Sequence, residues 1–183
     1  MGGSVAVLIT LQLLNTNPHL VVPPGVSVRC VALAPAPVYR SQASFPKKLL
    51  EKIYIYIYGK DVVPSLSLGS VARLLAMLRK VDGLELSVAE QLRIVLRKKD
   101  ALAQVNKERV RLAVAEAKQH RFPYLHHIGQ VTQLVKKGNR VEVRPRELKD
   151  AKEMAANIEI NDTMLMDHIP TEYKEIFTKM VSG

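Results

Sequence analysis

The sequence predicts an α/β fold that carries a long basic helical insertion. Segments of helix and strand character alternate along the 183 residues, and this alternation is typical of α/β proteins. Residues 53–58, in which isoleucine and tyrosine alternate, give the clearest strand pattern. Residues 87–119 form one amphipathic helical stretch in which basic residues outnumber acidic ones. A chain of this length can bury roughly 70% of its unfolded surface, so we expect one domain.

The first half of the chain predicts two helices that enclose two strands. Residues 4–14 are mainly apolar and suit a buried helix, which Asn15, Asn17 and Pro18 end. Residues 26–34 indicate a buried strand. Pro35 and Pro37 end it, because proline cannot donate to a central ladder. The Tyr-rich strand at 52–58 comes next. Residues 65–80 carry leucines at helical spacing and predict a helix packed on the sheet.

The second half predicts a hairpin and two further helices. Residues 128–135 and 140–143 have strand character, and a Gly-Asn pair lies in the turn between them. This turn type predicts antiparallel pairing. Helices are expected at residues 146–158 and at residues 170–180, where proline occupies the first turn.

Charge and cysteine content narrow the function classes. The chain has 27 Lys and Arg residues against 17 Asp and Glu, a formal net charge of +10, which favours an anionic partner. The single cysteine, Cys30, excludes an intrachain disulfide and a cysteine-rich zinc site. No apolar run reaches the roughly 20 residues of a transmembrane helix. No Lys or Arg precedes Arg29, so a signal peptide is not predicted. We expect a cytoplasmic or membrane-associated location.

Two residues on loops are candidates for acid–base chemistry. Asp61 follows the Tyr-rich strand, and His168 precedes the last predicted helix. An Asp that orients a His through a ring N–H is half of a nucleophilic triad, and Asp before His is the chain order of α/β-hydrolases. A structural role is the alternative, since an Asp before a turn and a His beside a proline are commonly structural.

Three segments carry a family resemblance. Residues 26–37 read VSVRCVALAPAP, residues 58–67 read YGKDVVPSLS, and residues 164–173 read MLMDHIPTEY. In this order they resemble class 3 lipases, the fungal lipase-like family, and are closest to its diacylglycerol lipase branch. The second segment is similar to the family's Asp-[Ile/Val]-Val-Pro-x-Leu sequence, and the third to its Asp-His-x-Pro-x-x-Tyr sequence. The resemblance implies a partial α/β-hydrolase fold with Asp61 as triad acid and His168 as general base.

The beginning of the chain departs from the family pattern. The family's nucleophile elbow reads Gly-His-Ser-[Leu/Met]-Gly-Gly, and Met1-Gly2-Gly3 resembles its second half. The nucleophile serine is therefore absent, and Met1 would supply an oxyanion-hole N–H only if Gly-His-Ser preceded it. Ser4 lies three residues too late, and we expect it to be structural. Loss of the nucleophile costs about 10⁶ in kcat in a serine protease, so activity of the isolated chain is not expected.

The resemblance implies a carboxylic ester hydrolase of lipid degradation that acts on acylglycerols, with diacylglycerol as the expected substrate. An upstream half of the lipase domain would supply the serine and complete the fold, so residues 1–183 would be the C-terminal portion. The triad requires no cofactor, and calcium enters only through the family resemblance. If the three matches were accidental, the chain would be an unrelated α/β binding domain, with Asp61 and His168 far apart.

The basic stretch leaves a second function open. Residues 84–121 are predicted as a helical insertion between acid and base, where diacylglycerol lipases similarly carry a regulatory segment. A basic amphipathic helix suits anionic lipid headgroups, and the alternative function is a non-catalytic lipase-like remnant that binds such a membrane or a partner. A solvated helix fits equally well. No nucleic-acid-binding motif accompanies the charge, so no nucleic-acid partner is predicted. The candidate membrane-binding residues are Arg93, Arg97, Lys98, Lys99, Lys107 and Arg111.

Other polar residues favour structural roles. Asp167, beside the proposed base, is expected to be a surface or turn residue rather than a second acid. His126 and His127 should point to opposite faces of an extended segment, and no acid lies nearby at ligand spacing, so no metal site is predicted. The tyrosines at 54–58 indicate a sheet face rather than a platform for stacking bases.

Overall fold

A four-stranded sheet organises the chain. The computed structural model describes residues 2–16, 22–40, 45–90, 104–119, 124–138 and 140–182. The strand order is β1-β2-β3-β4, in which β1–β2 and β2–β3 are parallel and β3–β4 is antiparallel. The expected α/β class and the antiparallel hairpin are both confirmed. The strands are β1 (Cys30–Leu33), β2 (Ile53–Tyr58), β3 (Gln130–Lys137) and β4 (Arg140–Arg146).

Helices connect and cover these strands. Two short 3₁₀ turns, Val63–Ser65 and Met166–His168, lie in the loops that carry the candidate residues. Among the described helices, none combines the length and apolar character needed to cross a bilayer. The helices are α1 (Gly2–Thr16), α2 (Lys47–Leu50), α3 (Leu68–Asp82), α4 (Gln104–Gln119), α5 (Leu148–Ala156) and α6 (Pro170–Ser182).

Some boundaries differ from the sequence expectation for local reasons. β1 is shorter than the predicted 26–34, because β2 offers pairing partners only to Cys30–Leu33. α3 begins at Leu68 rather than residue 65, because the chain first forms the 3₁₀ turn at 63–65. The expectation that leucines of this helix are buried against the sheet is wrong. Leu75 and Leu78 are 48% and 52% exposed.

The alternation in β2 divides the core between the two faces of the sheet. Ile53, Ile55 and Ile57 are at most 1% exposed and pack in one cluster with residues of α1 and α5. On the other face, Tyr58 packs with α6, where its ring meets Tyr173 edge to face. Helices therefore cover both faces of the sheet at β2, as the central strand of a mainly parallel sheet requires. β2 is the rigid centre from which the Asp61 loop leaves.

The chain forms two compact units, Met1–Ser70 with Pro123–Gly183, and Val71–Phe122. The second unit contains the whole 84–121 segment. Within it, Ser87 begins a helix with a capping box: its Oγ accepts the Glu90 N–H, and the Glu90 carboxylate accepts the Ser87 N–H. Lys80 and Glu116 form an ion pair.

Candidate active site

Asp61 is held at the carboxyl end of β2 by its own loop. A turn at Gly59 and Lys60 leads out of the strand, and the Asp61 N–H donates to Tyr58 O at 3.1 Å. The Asp61 Oδ1 then accepts the Val63 N–H at 2.9 Å, which starts the 3₁₀ turn. The side chain of Asp61 is 0% exposed. The carboxylate therefore has a fixed position beside the central strand.

His168 meets Asp61 from a loop that is 107 residues further along the chain. The loop is joined to the Asp61 loop where the Val62 N–H donates to Met164 O at 3.2 Å. His168 Nδ1 lies 2.9 Å from Asp61 Oδ2. An ionised carboxylate only accepts hydrogen bonds, so the proton of neutral His168 belongs on Nδ1 and Nε2 keeps its lone pair. The structure thus brings together the two residues that the sequence analysis selected.

Tyr173 completes the surroundings of the carboxylate and has no assigned role in the sequence analysis. Its hydroxyl donates to Asp61 Oδ2 at 2.9 Å and accepts the Tyr58 N–H at 2.9 Å. Burial, aided by the negative charge of Asp61, raises the pKa of Tyr173 above its usual value. The phenol therefore stays protonated and remains a donor. Tyr173 is the last residue of the 164–173 segment, and that motif position is the one signal that could have identified it.

His127, which precedes β3 in the chain, contacts the Asp61 loop at Pro64. It is 2% exposed, and its Nε2 lies 2.8 Å from Pro64 O. A carbonyl only accepts, so Nε2 carries the proton. Burial lowers the pKa of His127 to about 4, so the ring is neutral at physiological pH. Its neighbour His126 is instead placed by a backbone bridge to Tyr39.

Metal ligation finds no support among the described residues. No three His, Cys, Asp or Glu side chains of the described ranges are grouped so that they could hold a metal ion. Calcium, which the family resemblance allows, stays an expectation that rests on that resemblance.

The structure describes three of the remaining candidates, Ser4, Lys107 and Arg111. Ser4 is 9% exposed and donates its Oγ hydrogen to Ala36 O at 3.1 Å, a structural contact. In α4, Lys107 is half-buried, and Arg111 forms a 2.7 Å ion pair with Glu108. Met1, Arg93, Arg97, Lys98 and Lys99 lie outside the described residues.

In the described part of the chain, the geometry supplies an oriented imidazole. Asp61 fixes the His168 ring, and Nε2 belongs to a side chain that is 42% exposed, so a hydroxyl could approach it. No family model matches the chain, and no curated protein matches it either. What can be inferred about function therefore rests on the contacts of Asp61 and His168.

Proposed function

We propose that the chain supplies the acid and the base of a serine-hydrolase triad, as the C-terminal portion of a class 3 lipase-like enzyme with an α/β-hydrolase fold. The observation that carries this proposal is the 2.9 Å contact between Asp61 Oδ2 and His168 Nδ1 at the carboxyl end of a parallel strand. Acylglycerol esters are the proposed substrates, with diacylglycerol first among them.

Each residue has a defined task in this proposal. An upstream serine attacks the ester carbonyl while His168 Nε2 takes its proton and then returns it to the leaving alcohol. Asp61 keeps the imidazole in the Nδ1–H tautomer and stabilises the imidazolium as it forms. Tyr173 and the Val63 N–H hold the carboxylate for this task, because both donate to its oxygens.

The start of α1 supports a nucleophile at the same edge of the sheet. Gly3 lies so close to the end of β1 that a Cβ there would be 2.9 Å from Leu33 O. β1 and β2 are parallel, so their carboxyl ends share one edge of the sheet. Gly3 therefore lies beside the edge that carries Asp61, and functional groups of open α/β sheets meet at this edge.

Exposed apolar residues support an additional segment against α1 and β1. Val5 and Ile9 of α1 are 50% and 52% exposed, and Val31 and Leu33 of β1 are 61% and 42% exposed. Parallel strands are normally covered on both faces. We propose that the half of the domain that carries the serine covers these residues.

The test begins with the codons before Met1. In-frame Gly-His-Ser codons would allow the longer chain to be assayed on diacylglycerol emulsions and on a soluble chromogenic ester. Asp61→Asn should lower kcat by about 10⁴, because the imidazole loses its correct tautomer. His168→Ala should lower it by about 10⁶.

Asp162→Asn is the matched control, since it removes an exposed carboxylate from the loop before His168. It should leave kcat unchanged. Wild-type turnover in Asp61→Asn would overturn the triad assignment. A genuine start at Met1, together with no ester hydrolysis by the chain, would favour the non-catalytic alternative.

The unit Val71–Phe122 contains the basic stretch that suggests this alternative, in which the chain contacts an anionic membrane. The net charge of +10 supports it, whereas the ion pair of Arg111 with Glu108 reduces the charge available in α4. Flotation with vesicles of anionic phospholipid, with and without residues 87–119, tests this contact. Binding that disappears on deletion and weakens with salt would support it, and an unchanged, salt-independent partition would overturn it.

A further inference from the structure

We propose that Asp167 is a positioning residue that locks the Asp61 loop and the His168 loop in register. This inference rests on the proposed function of Asp61 and His168. Asp167 immediately precedes His168, and its partner Lys60 immediately precedes Asp61. The contact between Lys60 and Asp167 therefore determines how Asp61 and His168 meet.

The carboxylate of Asp167 bridges the two loops. Its Oδ2 accepts the backbone N–H of Lys60 at 2.8 Å and the hydroxyl of Thr163 at 3.0 Å. The Lys60–Asp167 and Asp61–His168 pairs both join residues 107 positions apart, so they form consecutive rungs between the loops. A slip of either loop would break both rungs together.

Gly59 provides the space that the carboxylate fills. Its φ is +53°, a left-handed conformation that glycine adopts at low cost. A Cβ at this position would overlap Asp167 Oδ2 and would lie 2.8 Å from Asp167 Cγ. The turn after β2 is thus shaped for close approach of this carboxylate, which is more than an ordinary turn residue requires.

The same carboxylate also acts on the tyrosines behind Asp61. Its negative charge raises the pKa of Tyr58, where burial is the larger cause, and contributes in the same direction at Tyr173. The tie between the loops is itself geometric, because Asp167 joins them through the Lys60 N–H.

The tautomer of His168 is the readout that tests the register. In the full chain with ¹⁵N-labelled histidine, NMR at a pH where the imidazole is neutral reports which ring nitrogen carries the proton. Wild-type His168 should be mainly Nδ1–H. Asp167→Ala should shift it towards the Nε2–H form that free histidine prefers, because the loops lose the Asp167–Lys60 hydrogen bond that sets their register alongside the Val62–Met164 bond. Asp167→Asn should restore the Nδ1–H form, since its amide oxygen accepts the Lys60 N–H.

A control and two opposing results make the test decisive. Asp162→Ala removes a carboxylate from the same loop and should leave the His168 tautomer unchanged. A mainly Nδ1–H signal in Asp167→Ala would overturn the positioning role while leaving the Asp61–His168 pair intact. An Nε2–H signal in the wild type would overturn the pair itself, and both proposals with it. If Asp167→Ala does not fold, Asp167→Ser carries the same expectation, because serine is too short to reach Lys60.

Discussion

Replacing His127 should make the stability of the chain less dependent on pH. In the folded chain, burial lowers the pKa of His127 from 6.5 to about 4, whereas the unfolded chain restores the ordinary value. Between these two values the unfolded state binds a proton that the folded state does not. The contribution of His127 is therefore complete above pH 6.5 and is lost as the pH falls towards 4.

The size of this loss follows from the shift in pKa. A difference of about 2.5 units, from 6.5 to about 4, corresponds at about 1.36 kcal/mol per unit to about 3 kcal/mol. This energy is a large part of the 5–15 kcal/mol that typically stabilises a domain. Acidification should therefore destabilise the folded state, because it places a charge on the buried ring of His127 beside the loop that holds Asp61.

Urea unfolding at a series of pH values measures this effect. His127→Gln keeps an amide donor for Pro64 O but has no titrating ring. The variant should be less stable than wild type at neutral pH. Its free energy of unfolding should approach that of wild type by about 3 kcal/mol on acidification to about pH 4. His126→Gln is the matched control. Burial also lowers the pKa of His126, but this side chain is half-buried rather than fully buried. The stability difference between wild type and His126→Gln should therefore narrow less on acidification. Parallel pH curves for wild type and His127→Gln would refute the reasoning.

Three further substitutions and one control substitution test the packing of the site and its sheet by urea unfolding. Tyr173→Phe should lower the free energy of unfolding by about 1.5–3 kcal/mol, since it removes a hydrogen bond to a charged group. Unchanged stability would contradict the hydrogen bond between the Tyr173 hydroxyl and Asp61. Ile55→Ala should cost about 2–5 kcal/mol by opening a cavity, whereas Val31→Ala, at an exposed position, should cost less than about 0.5. Gly129→Ala should prevent native folding, because φ is +101° and the Cβ would overlap Ile53 O; a native-like spectrum would contradict this.

Much of the site was accessible from the sequence because its signals are local. The alternation at 53–58 identifies the central strand, and the short motifs around Asp61 and His168 select the residues that the fold brings to 2.9 Å. The contacts of Tyr173 and Asp167 were not predicted, because they join segments 107 or more residues apart and no catalytic role at these two positions pointed to a partner, as it did for Asp61 and His168. Helical spacing of the α3 leucines shows an amphipathic helix but does not show what the apolar side contacts.

The separation between the paired loops has a consequence for how the chain folds. Asp61 and His168 lie 107 positions apart in the chain, so they can meet only after the intervening chain has brought its two ends together. Their contact therefore belongs among the slow, non-local events of folding. Closure entropy grows only logarithmically, however, and a doubling of loop length costs only about 0.6 kcal/mol. Flexible connections outside β3 and β4 can therefore change in length at little thermodynamic cost to the pair.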